Sequence, residues 1–366
     1  MEKKELLYLL ALQNVPNLGD STAKKLLRHL GSAEEIFKTR QDKILKIPGI
    51  GKIKSSGLFV PNLLKEAEKE LEFITKNGIE VHFFKDPSYP EKLKHCADGP
   101  FLLFSKGIIQ LENRKIISVV GTRKITAQGA TFCEKLIEEL AVFNPVIVSG
   151  FAYGVDITAQ KAALKNNLQT IGCLAHGLNQ IYPRVHAKYA KEVEANGGFF
   201  TDFWSHKEFD RNNFLKRNRI IAGLSEATVV IESAEKGGSL VTADIANSYN
   251  REVFAVPGRP TDSQSQGCND LIKSQQAHLL SGAADLIYIL NWNTPEPSKN
   301  IQKQLFVELN LQEQKVFDYL KEQGRQQLDI IALRCDLPTF KTAGILLEME
   351  LKGAVRPLPG KLFEAI

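Results

Sequence analysis

The sequence predicts an α/β protein with a mostly parallel, doubly wound sheet, preceded by one helical unit and followed by another. Strand-like and helix-like segments alternate between residues 79 and 290, which is typical of βαβ units. Two similar proline–glycine phrases separate helical segments within residues 1–75. Three amphipathic segments and a short hairpin pattern occupy residues 304–366.

The composition is that of an ordinary globular protein with a slightly basic charge. Of 366 residues, 43% are hydrophobic and 24% are charged, and 47 basic residues exceed 42 acidic ones by a net charge of +5. This excess permits a nucleic-acid partner without requiring one. The scattered cysteines and histidines show neither a CxxC motif nor metal-ligand spacing, which predicts reduced thiols, a cytoplasmic location and no metal or cofactor. No apolar run approaches the ~20 residues of a membrane span.

The first unit, residues 1–75, contains the phrases "NVPNLGDSTAKKLL" and "KIPGIGKIKSSGL". Both resemble the helix-hairpin-helix motif, in which a tight glycine turn aims the N–H groups of the next helix at a phosphate. Gly49 and Gly51 occupy the glycine positions of the second copy, and Asn17 replaces a glycine in the first, where Asn tolerates a left-handed backbone. Residues 1–70 hold 13 basic and 9 acidic residues, which favours binding. The alternative is that both turns only pack a helical bundle.

The second unit, residues 79–290, is expected to form the sheet. Its apolar segments lack alternation, as expected for parallel strands that are buried on both faces. Strand-like pieces at 79–84 and 100–105 are expected to extend the sheet. The principal predicted strands are 115–120, 145–150, 169–174, 197–203, 227–233 and 251–258, with helices at 126–143, 155–166, 186–196 and 239–250.

Residues 291–303 lack periodicity and contain two prolines, which predicts a linker. The three amphipathic segments and hairpin of residues 304–366 then form a winged-helix pattern. Many winged helices bind DNA through the third helix. This one holds 8 basic and 9 acidic residues, so a protein-contact role is at least as well supported.

Three loops that follow predicted strands are rich in small and hydroxyl-bearing residues: GTRKIT (121–126), SGFAYGVD (149–156) and ESAEKGGSLVTA (232–243). In an open parallel sheet ligands bind at this edge, where N–H groups of loops and helix starts cradle phosphate. The first loop is not G-x-G-x-x-G and the chain has no GxxxxGK[ST], which argues against a dinucleotide dehydrogenase and a P-loop ATPase. Arg123 is placed to meet a phosphate at the following helix.

Catalysis would require a nucleophile with a base, or a pair of positioned carboxylates. Asp156, Asp202, Glu232 and Asp244 lie near predicted strand ends or helix starts, but their spacing forms no recognisable pair. Asp156 and Asp244 fall in first helical turns, where acidic residues stabilise the helix dipole. We therefore interpret these four residues as structural.

The segment "FLKRNRIIAGLS" predicts a helix that buries Ile220, Ile221 and Leu224 against the sheet. Lys216, Arg217 and Arg219 fall in its first turns, where each positive charge costs ~0.3–1 kcal/mol against the helix dipole. A bound anion would turn this cost into binding energy.

Several of these segments together resemble the DNA-processing protein A family (DprA, also called Smf). They are "VVGTRKIT", "VSGFAYGVDITAQ", "TIGCLAHGLNQIYPRVH", "GGFFTDF", "NFLKRNRIIAGLSEATVVIESAEKGGSLVTADIA" and "REVFAVPGRPTDSQSQGCNDLI". The resemblance is dense over 115–280, and the flanking units also occur in the family. Gln160 stands where the family tends to have histidine, Asn179 where it has aspartate and Asp202 where it has glutamate.

The resemblance implies an extended Rossmann-like fold and a homodimeric, non-catalytic protein. Such a protein binds and protects incoming single-stranded DNA in natural transformation, loads RecA recombinase and helps displace single-strand-binding protein. An enzyme acting on nucleotides or nucleotide-derived ligands is the alternative. The DNA site implied by the family comprises Gly121, Thr122, Arg123, Ser149, Gly150, Arg211, Phe214, Lys216, Arg217, Asn218, Arg219, Gly238 and Ser239.

Overall fold

A computed structural model of the protein describes residues 2–207, 210–292, 309–358 and 362–366. The chain divides into two compact units, residues 1–295 and 296–366. Each unit has its own hydrophobic core and is described separately below.

The first unit opens with six helices that contain both expected helical hairpins. In the turn before α2, Asn17 has φ = 60°, the left-handed backbone expected there, and in the turn before α5 Gly49 has φ = 80°. The two hairpins touch, because Lys54 Nζ donates to Thr22 Oγ1 at 3.3 Å. The helices are α1 (Lys3–Gln13), α2 (Asp20–Leu30), α3 (Ala33–Lys38), α4 (Gln41–Ile44), α5 (Lys52–Gly57) and α6 (Leu63–Lys76).

A nine-stranded sheet follows, in the order β1-β2-β6-β5-β4-β3-β7-β8-β9. The strands from β6 to β9 in this order run parallel, whereas β2 pairs antiparallel with both β1 and β6. The strand-like pieces at 79–84 and 100–105 thus do extend the sheet. The strands are β1 (Glu80–Phe83), β2 (Leu102–Gly107), β3 (Ile116–Val120), β4 (Val146–Ser149), β5 (Thr170–Cys173), β6 (Gly197–Thr201), β7 (Ala227–Val230), β8 (Glu252–Ala255) and β9 (His278–Leu279).

Helices cover both faces of this sheet, which explains why its central strands are wholly buried. The cores show that α8, α9 and α14 pack on one face and α11, α12 and α13 on the other. The helices are α7 (Glu91–Lys94), α8 (Ala127–Leu140), α9 (Val155–Lys165), α10 (Ala187–Ala195), α11 (Asn212–Leu224), α12 (Gly238–Ser248), α13 (Gln266–Lys273) and α14 (Ala283–Ile289).

The N-terminal helices and the sheet edge share one hydrophobic core. Leu102 and Phe104 of β2, together with Trp204, join the buried leucines and isoleucines of α1–α6. The indole N–H of Trp204 donates to Gln13 Oε1 at 2.7 Å. Because this core is continuous, the N-terminal helices are fixed relative to the sheet.

Trp292, which the sequence assigned to the linker, is buried and completes the core beside α14. Its ring centroid lies 5.5 Å from that of Phe143, and Lys115 Nζ lies 5.4 Å from its ring. Residues 293–303 of the predicted linker lie outside the described residues.

The second unit has the expected winged-helix architecture, and its first helix begins with a capping box in which Asn310 and Glu313 satisfy each other's backbone N–H groups. Its core includes Val316, Leu320, Leu346 and Met349. The helices are α15 (Leu311–Gln323), α16 (Leu328–Arg334) and α17 (Thr339–Leu351), and the strands β10 (Gln326–Gln327), β11 (Val355–Leu358) and β12 (Leu362–Ala365) form an antiparallel sheet.

All five cysteines are free, buried thiols. Within the described residues, we find no helix whose length and hydropathy would carry it across a bilayer.

Candidate nucleic-acid interface

A cavity of about 680 Å³ opens at the carboxyl ends of the central strands. From β3 the chain proceeds outward through β4, β5 and β6, and it then returns to place β7 on the other side of β3. The cavity is lined by the loops that follow β3 and β7, at this reversal of strand order. This is the position where open α/β sheets bind their ligands.

Most of the residues in the predicted DNA site meet at this cavity, although they come from three separate segments. Arg211 precedes α11, and Phe214 projects from its first turn. The N-terminus of α12 points its Gly238 and Ser239 toward the same space. The predicted residues that line the cavity are Gly121, Thr122, Arg123, Arg211, Phe214, Arg217, Asn218, Gly238 and Ser239.

Glu232 is buried, and its carboxylate holds the loop between β3 and α8 in place. Its oxygens accept hydrogen bonds from the Thr126 backbone N–H at 2.9 Å and from the Thr126 hydroxyl at 2.5 Å. A Cβ at Gly129 would lie 2.5 Å from this carboxylate, so a larger residue there would displace it from Thr126. The start of α8 is therefore held rigidly beside the cavity.

The loop after β4 packs equally closely on the loop after β3. Gly154 has φ = 74°, and a Cβ there would lie 2.2 Å from the Thr122 carbonyl oxygen. This close approach requires glycine, because any other side chain would push the two loops apart. Thr122 is held from the other side by Gln264, whose Oε1 accepts from its hydroxyl at 3.0 Å.

One wall of the cavity is formed by the ring of Phe214, with two guanidiniums near it. The Arg123 guanidinium lies 4.9 Å from the centroid of Phe214, and Arg217 lies 5.9 Å from it. Tyr182 meets the same ring edge-on at 6.1 Å between centroids. Sequence reasoning missed Tyr182, as well as Lys124 and Leu215 on the lining. The loop sequence GTRKIT did contain a signal for Lys124, since that lysine directly follows Arg123.

The described lining is strongly cationic. It includes Arg123, Lys124, Arg211 and Arg217, against the single carboxylate of Asp156. Burial raises the pKa of Asp156, and the guanidinium of Arg217 opposes that rise. The exposed cations of the described lining are Arg123, Lys124 and Arg211, whereas Arg217 is buried.

The structure explains Arg217 differently from the sequence. Helix α11 starts at Asn212, earlier than the segment suggested, so its cations lie in the second turn rather than at the N-terminus. Arg217 is buried and donates to the carbonyl oxygens of Gly150, at 2.7 Å, and Cys173. Its charge is therefore satisfied largely from within the protein.

Ser149 and Gly150 lie below the cavity and do not line it. The Ser149 hydroxyl is fully buried and donates to the Val119 carbonyl oxygen at 2.6 Å. A Cβ at Gly150 would lie 2.6 Å from Arg217, so this glycine makes room for the guanidinium. Both residues thus support the site from beneath.

Lys216 and Arg219 face a second depression, of about 640 Å³, which we call the junction groove because it lies between α2 and the sheet unit. Leu215 lines both depressions. Among the described residues of the junction groove, three cations (Lys207, Lys216, Arg219) face three carboxylates (Asp20, Asp98, Asp202).

Arg219 is the centre of this groove. Its guanidinium donates to Asp20 at 3.0 Å, and also to the Asp202 carboxylate and the Asp98 carbonyl oxygen. Burial lowers the pKa of Arg219, but Asp202 and Asp20 outweigh burial and the net pKa is raised. The interpretation that a bound anion compensates this charge is thus wrong for Arg219, since carboxylates of the protein already do so.

The other carboxylates that the sequence analysis considered for catalysis do not come together at the cavity. Asp202 lies in the junction groove, and Asp244 is exposed on α12 outside the cavity lining. Gln160, where the family tends to have histidine, is fully buried below the cavity, and no described group bonds to its amide. Asn179, the other departure, is exposed and does not line the cavity. No cluster of three metal-ligating side chains occurs within the described ranges.

Fold and site together define a Rossmann-like protein with a cationic cavity at the switch point of its sheet. Along the sequence, a helix-hairpin-helix tandem precedes this sheet and a winged helix follows it. Sequence models of known families agree with this division. "DNA recombination-mediator protein A" matches residues 80–291, "DprA winged helix domain" matches 304–361 and "SAM-like Helix-hairpin-helix tandem" matches 9–56. The chain belongs to the DNA recombination-mediator protein A family, also named DprA or Smf.

The chain is similar to curated members of this family over most of their length. The chain is 36% identical to Protein Smf of Escherichia coli over 281 residues, which cover 74% of each protein. It is 36% identical to the DNA processing protein DprA of Bacillus subtilis, over 62% of this chain and 74% of that one.

Solved structures of the family have the same fold. DprA from Streptococcus pneumoniae superposes with a TM-score of 0.65 at 29% identity, covering 77% of this chain and 97% of that one. DprA from Helicobacter pylori, whose structure was described for its single-stranded DNA binding mode, gives a TM-score of 0.53 at 29% identity and covers 58% of this chain and 95% of that one.

Proposed function

We propose that this protein binds single-stranded DNA in the cavity and acts as a non-catalytic recombination mediator in DNA transformation. The observation that carries the proposal is the charge of the cavity, whose described lining sets four cations against one carboxylate. Three of these cations are exposed at the rim, where a phosphodiester backbone would pass.

The remaining chemistry of the cavity also fits a nucleic acid strand. A base stacks on the ring of Phe214 in place of the Arg123 guanidinium, which now lies 4.9 Å from the ring centroid and turns to the adjacent phosphate. The N–H groups at the start of α12 favour an anion. These contacts address backbone and base faces, so binding is sequence-tolerant and depends strongly on salt.

The comparisons support the same role. A relative in Helicobacter pylori has a described single-stranded DNA binding mode, and relatives in Streptococcus pneumoniae and Bacillus subtilis are named for DNA processing. By extension we propose that this protein is a cytoplasmic homodimer that protects incoming strands, loads RecA recombinase and helps displace single-strand-binding protein. We also propose that the second hairpin, with Gly49 and Gly51, contacts duplex phosphates.

The test is the affinity of the full chain for short fluorescent oligo-dT, measured by anisotropy over a range of salt concentrations. Replacing Arg123 and Arg211 together with alanine removes two exposed phosphate contacts. We expect at least a tenfold loss of affinity, about 1.4 kcal/mol, at about 150 mM salt. The slope of log affinity against log salt falls in magnitude by about 1.4, since each single-strand phosphate contact contributes ~0.7.

The matched control replaces Lys135 and Lys165, which are exposed on α8 and α9 and do not line the cavity. It removes the same charge and leaves affinity within about twofold. If both double variants lose the same oligo-dT affinity, the effect is one of net charge. If Arg123→Ala/Arg211→Ala binds oligo-dT as tightly as the wild type, the proposed site is overturned. Nucleotide turnover that copurifies with the wild-type protein and is lost in that variant favours a nucleotide-directed enzyme instead.

A further inference from the structure

The third helix of the winged-helix unit, α17, has a buried face and an exposed face that are both apolar. Ile345, Leu346 and Met349 are buried in the core of the unit. On the opposite face, Phe340 and Leu351 are each 82% exposed and Leu347 is 57% exposed. Large apolar side chains grouped on one exposed helix face are typical of a surface that contacts another protein.

The exposed residues form a seam along the helix. Phe340, Gly344, Leu347 and Leu351 follow one another at intervals of four, three and four residues, which is the spacing of a coiled-coil interface. Nothing lies within 4 Å of a Cβ built on Gly344, so this position is a gap in the seam that another side chain can fill. The seam spans about 16 Å, at 1.5 Å per residue.

This seam is complementary to itself when two copies of the helix run antiparallel. A two-fold axis between Ile345 and Leu346 sets Phe340 opposite Leu351 of the second copy, and Gly344 opposite its Leu347. A bulky residue therefore meets a small one at the centre, and two bulky residues meet at each end.

The charges beside the seam follow the same symmetry. Lys341 and Glu348 are both exposed on the same flank of the seam, and the two-fold axis brings this flank of one copy against the same flank of the other, so that Lys341 of each copy faces Glu348 of the other. Such pairs fix the register and orientation of helix pairs. The two residues lie seven positions apart in one helix, about 10 Å along its axis, which is too far for them to pair within it.

We propose that α17 is a self-association surface, at which the winged-helix units of two copies of this chain pair antiparallel. A DNA duplex fits this face poorly, because its exposed charges are one lysine and the glutamates Glu348 and Glu350. One helix pair buries less than the roughly 1,200–2,000 Å² of a stable interface, so the contact is weak and reversible. The inference does not depend on the proposed DNA site.

The test is sedimentation velocity of the full chain without DNA, from about 1 to about 100 μM, where contacts of this size associate. The wild-type protein shows a concentration-dependent rise in mass, and any tighter association elsewhere in the chain forms a separate step at lower concentration. Leu347→Glu places a charge in the seam and weakens the α17 step at least tenfold. Because Leu347 is exposed, its thermal melting matches the wild type.

Charge reversal distinguishes self-association from binding of another protein. Lys341→Glu and Glu348→Lys each set like charges opposite one another and weaken the α17 step about threefold to tenfold at about 50 mM salt. The double variant Lys341→Glu/Glu348→Lys restores the attraction and returns the step to within about twofold of wild type. The control Lys321→Glu makes the same charge change on the exposed surface of α15 and has no effect.

Three results overturn the proposal. The first is a wild-type mass that shows no weak step at any concentration, and the second is a step that Leu347→Glu leaves unchanged. The third is a double variant as weak as its single parents, which means that the helix does not pair with itself in this register.

Discussion

The cavity and the junction groove lie side by side along α11 but treat positive charge in opposite ways. In the cavity, Arg123, Lys124 and Arg211 are exposed at the rim and Asp156 is the one described carboxylate. In the junction groove, Arg219 is surrounded by Asp20 and Asp202. A cluster of cations therefore indicates an anion site only where the protein does not supply the counter-charges itself.

This contrast is consistent with the positions of the two depressions in the fold. The cavity lies at the switch point of the sheet, where loops diverge and leave a space for a ligand. The junction groove lies where the N-terminal helices meet the sheet edge, and there Arg219 joins residues from α2 and from the segment after β6. We infer that the first depression is for binding and the second for fixing the two layers of the unit together.

The largest effect that we expect to distinguish the junction groove from the cavity is on the free energy of unfolding. Arg219→Ala leaves Asp20 and Asp202 without their buried partner and should lower the free energy of unfolding by about 3 kcal/mol. Urea unfolding followed by tryptophan fluorescence measures this change, because both tryptophans, Trp204 and Trp292, lie in the first unit. The control Lys216→Ala, exposed one turn earlier, should change it by less than about 0.5 kcal/mol. Wild-type stability in Arg219→Ala would show that the junction groove does not hold the unit together.

The sequence predicted the fold well because the periodicity of its elements is strong and local. The apolar runs became buried strands, and Asn17 and Gly49 took the left-handed turn conformations that the hairpin pattern requires. The end of the unit was less predictable: Trp292 is a lone aromatic beyond the last periodic segment, and its burial depends on Phe143, which is distant in sequence.

The site was predicted less completely than the fold, and the reason is the range of the interactions. The glycine-rich loops were identified from local patterns, and Phe214 from the resemblance to the family. The partners of Arg219 could not be identified from local patterns. Asp20 lies 199 residues away in sequence and becomes a neighbour of Arg219 only when the N-terminal helices dock. Tyr182 was missed for the same reason, since it reaches Phe214 from a loop after β5.

A second prediction concerns the aromatic wall of the cavity. Phe214→Leu keeps an apolar side chain but removes the ring, and we expect oligo-dT affinity to fall about tenfold, within the ~1–3 kcal/mol of one stacked base. Phe214→Tyr keeps the ring and should retain affinity within about twofold of the wild-type protein. If both substitutions weaken binding equally, packing against Arg123 rather than base stacking explains the role of this residue.

A third prediction extends the comparison to the hairpins. Lys46 and Lys52 are exposed on either side of Gly49 and Gly51. Replacing both with alanine should lower affinity for a short duplex about fivefold, roughly 1 kcal/mol, and change oligo-dT affinity by less than twofold. The control pair Lys65→Ala and Lys76→Ala removes equal charge from exposed positions of α6 and should affect neither ligand. An equal loss for duplex and single strand would leave the hairpins as packing elements.

The smallest expected effect comes from removing the winged-helix unit, residues 293–366. The cut follows Trp292, because that residue belongs to the core of the first unit. In the part removed, Arg325 and Arg356 already pair with Glu364, and the exposed face of α17 is apolar with a slight excess of acid. Acidic residues outnumber basic ones over residues 304–366, nine to eight, whereas the cationic rim of the cavity remains intact. Affinity for an oligo-dT that fills one site should stay within about threefold, under ~0.7 kcal/mol, and tryptophan fluorescence should report an unchanged unfolding midpoint. A tenfold loss with unchanged stability would instead assign the winged helix a direct part in binding the strand, despite its acidic balance.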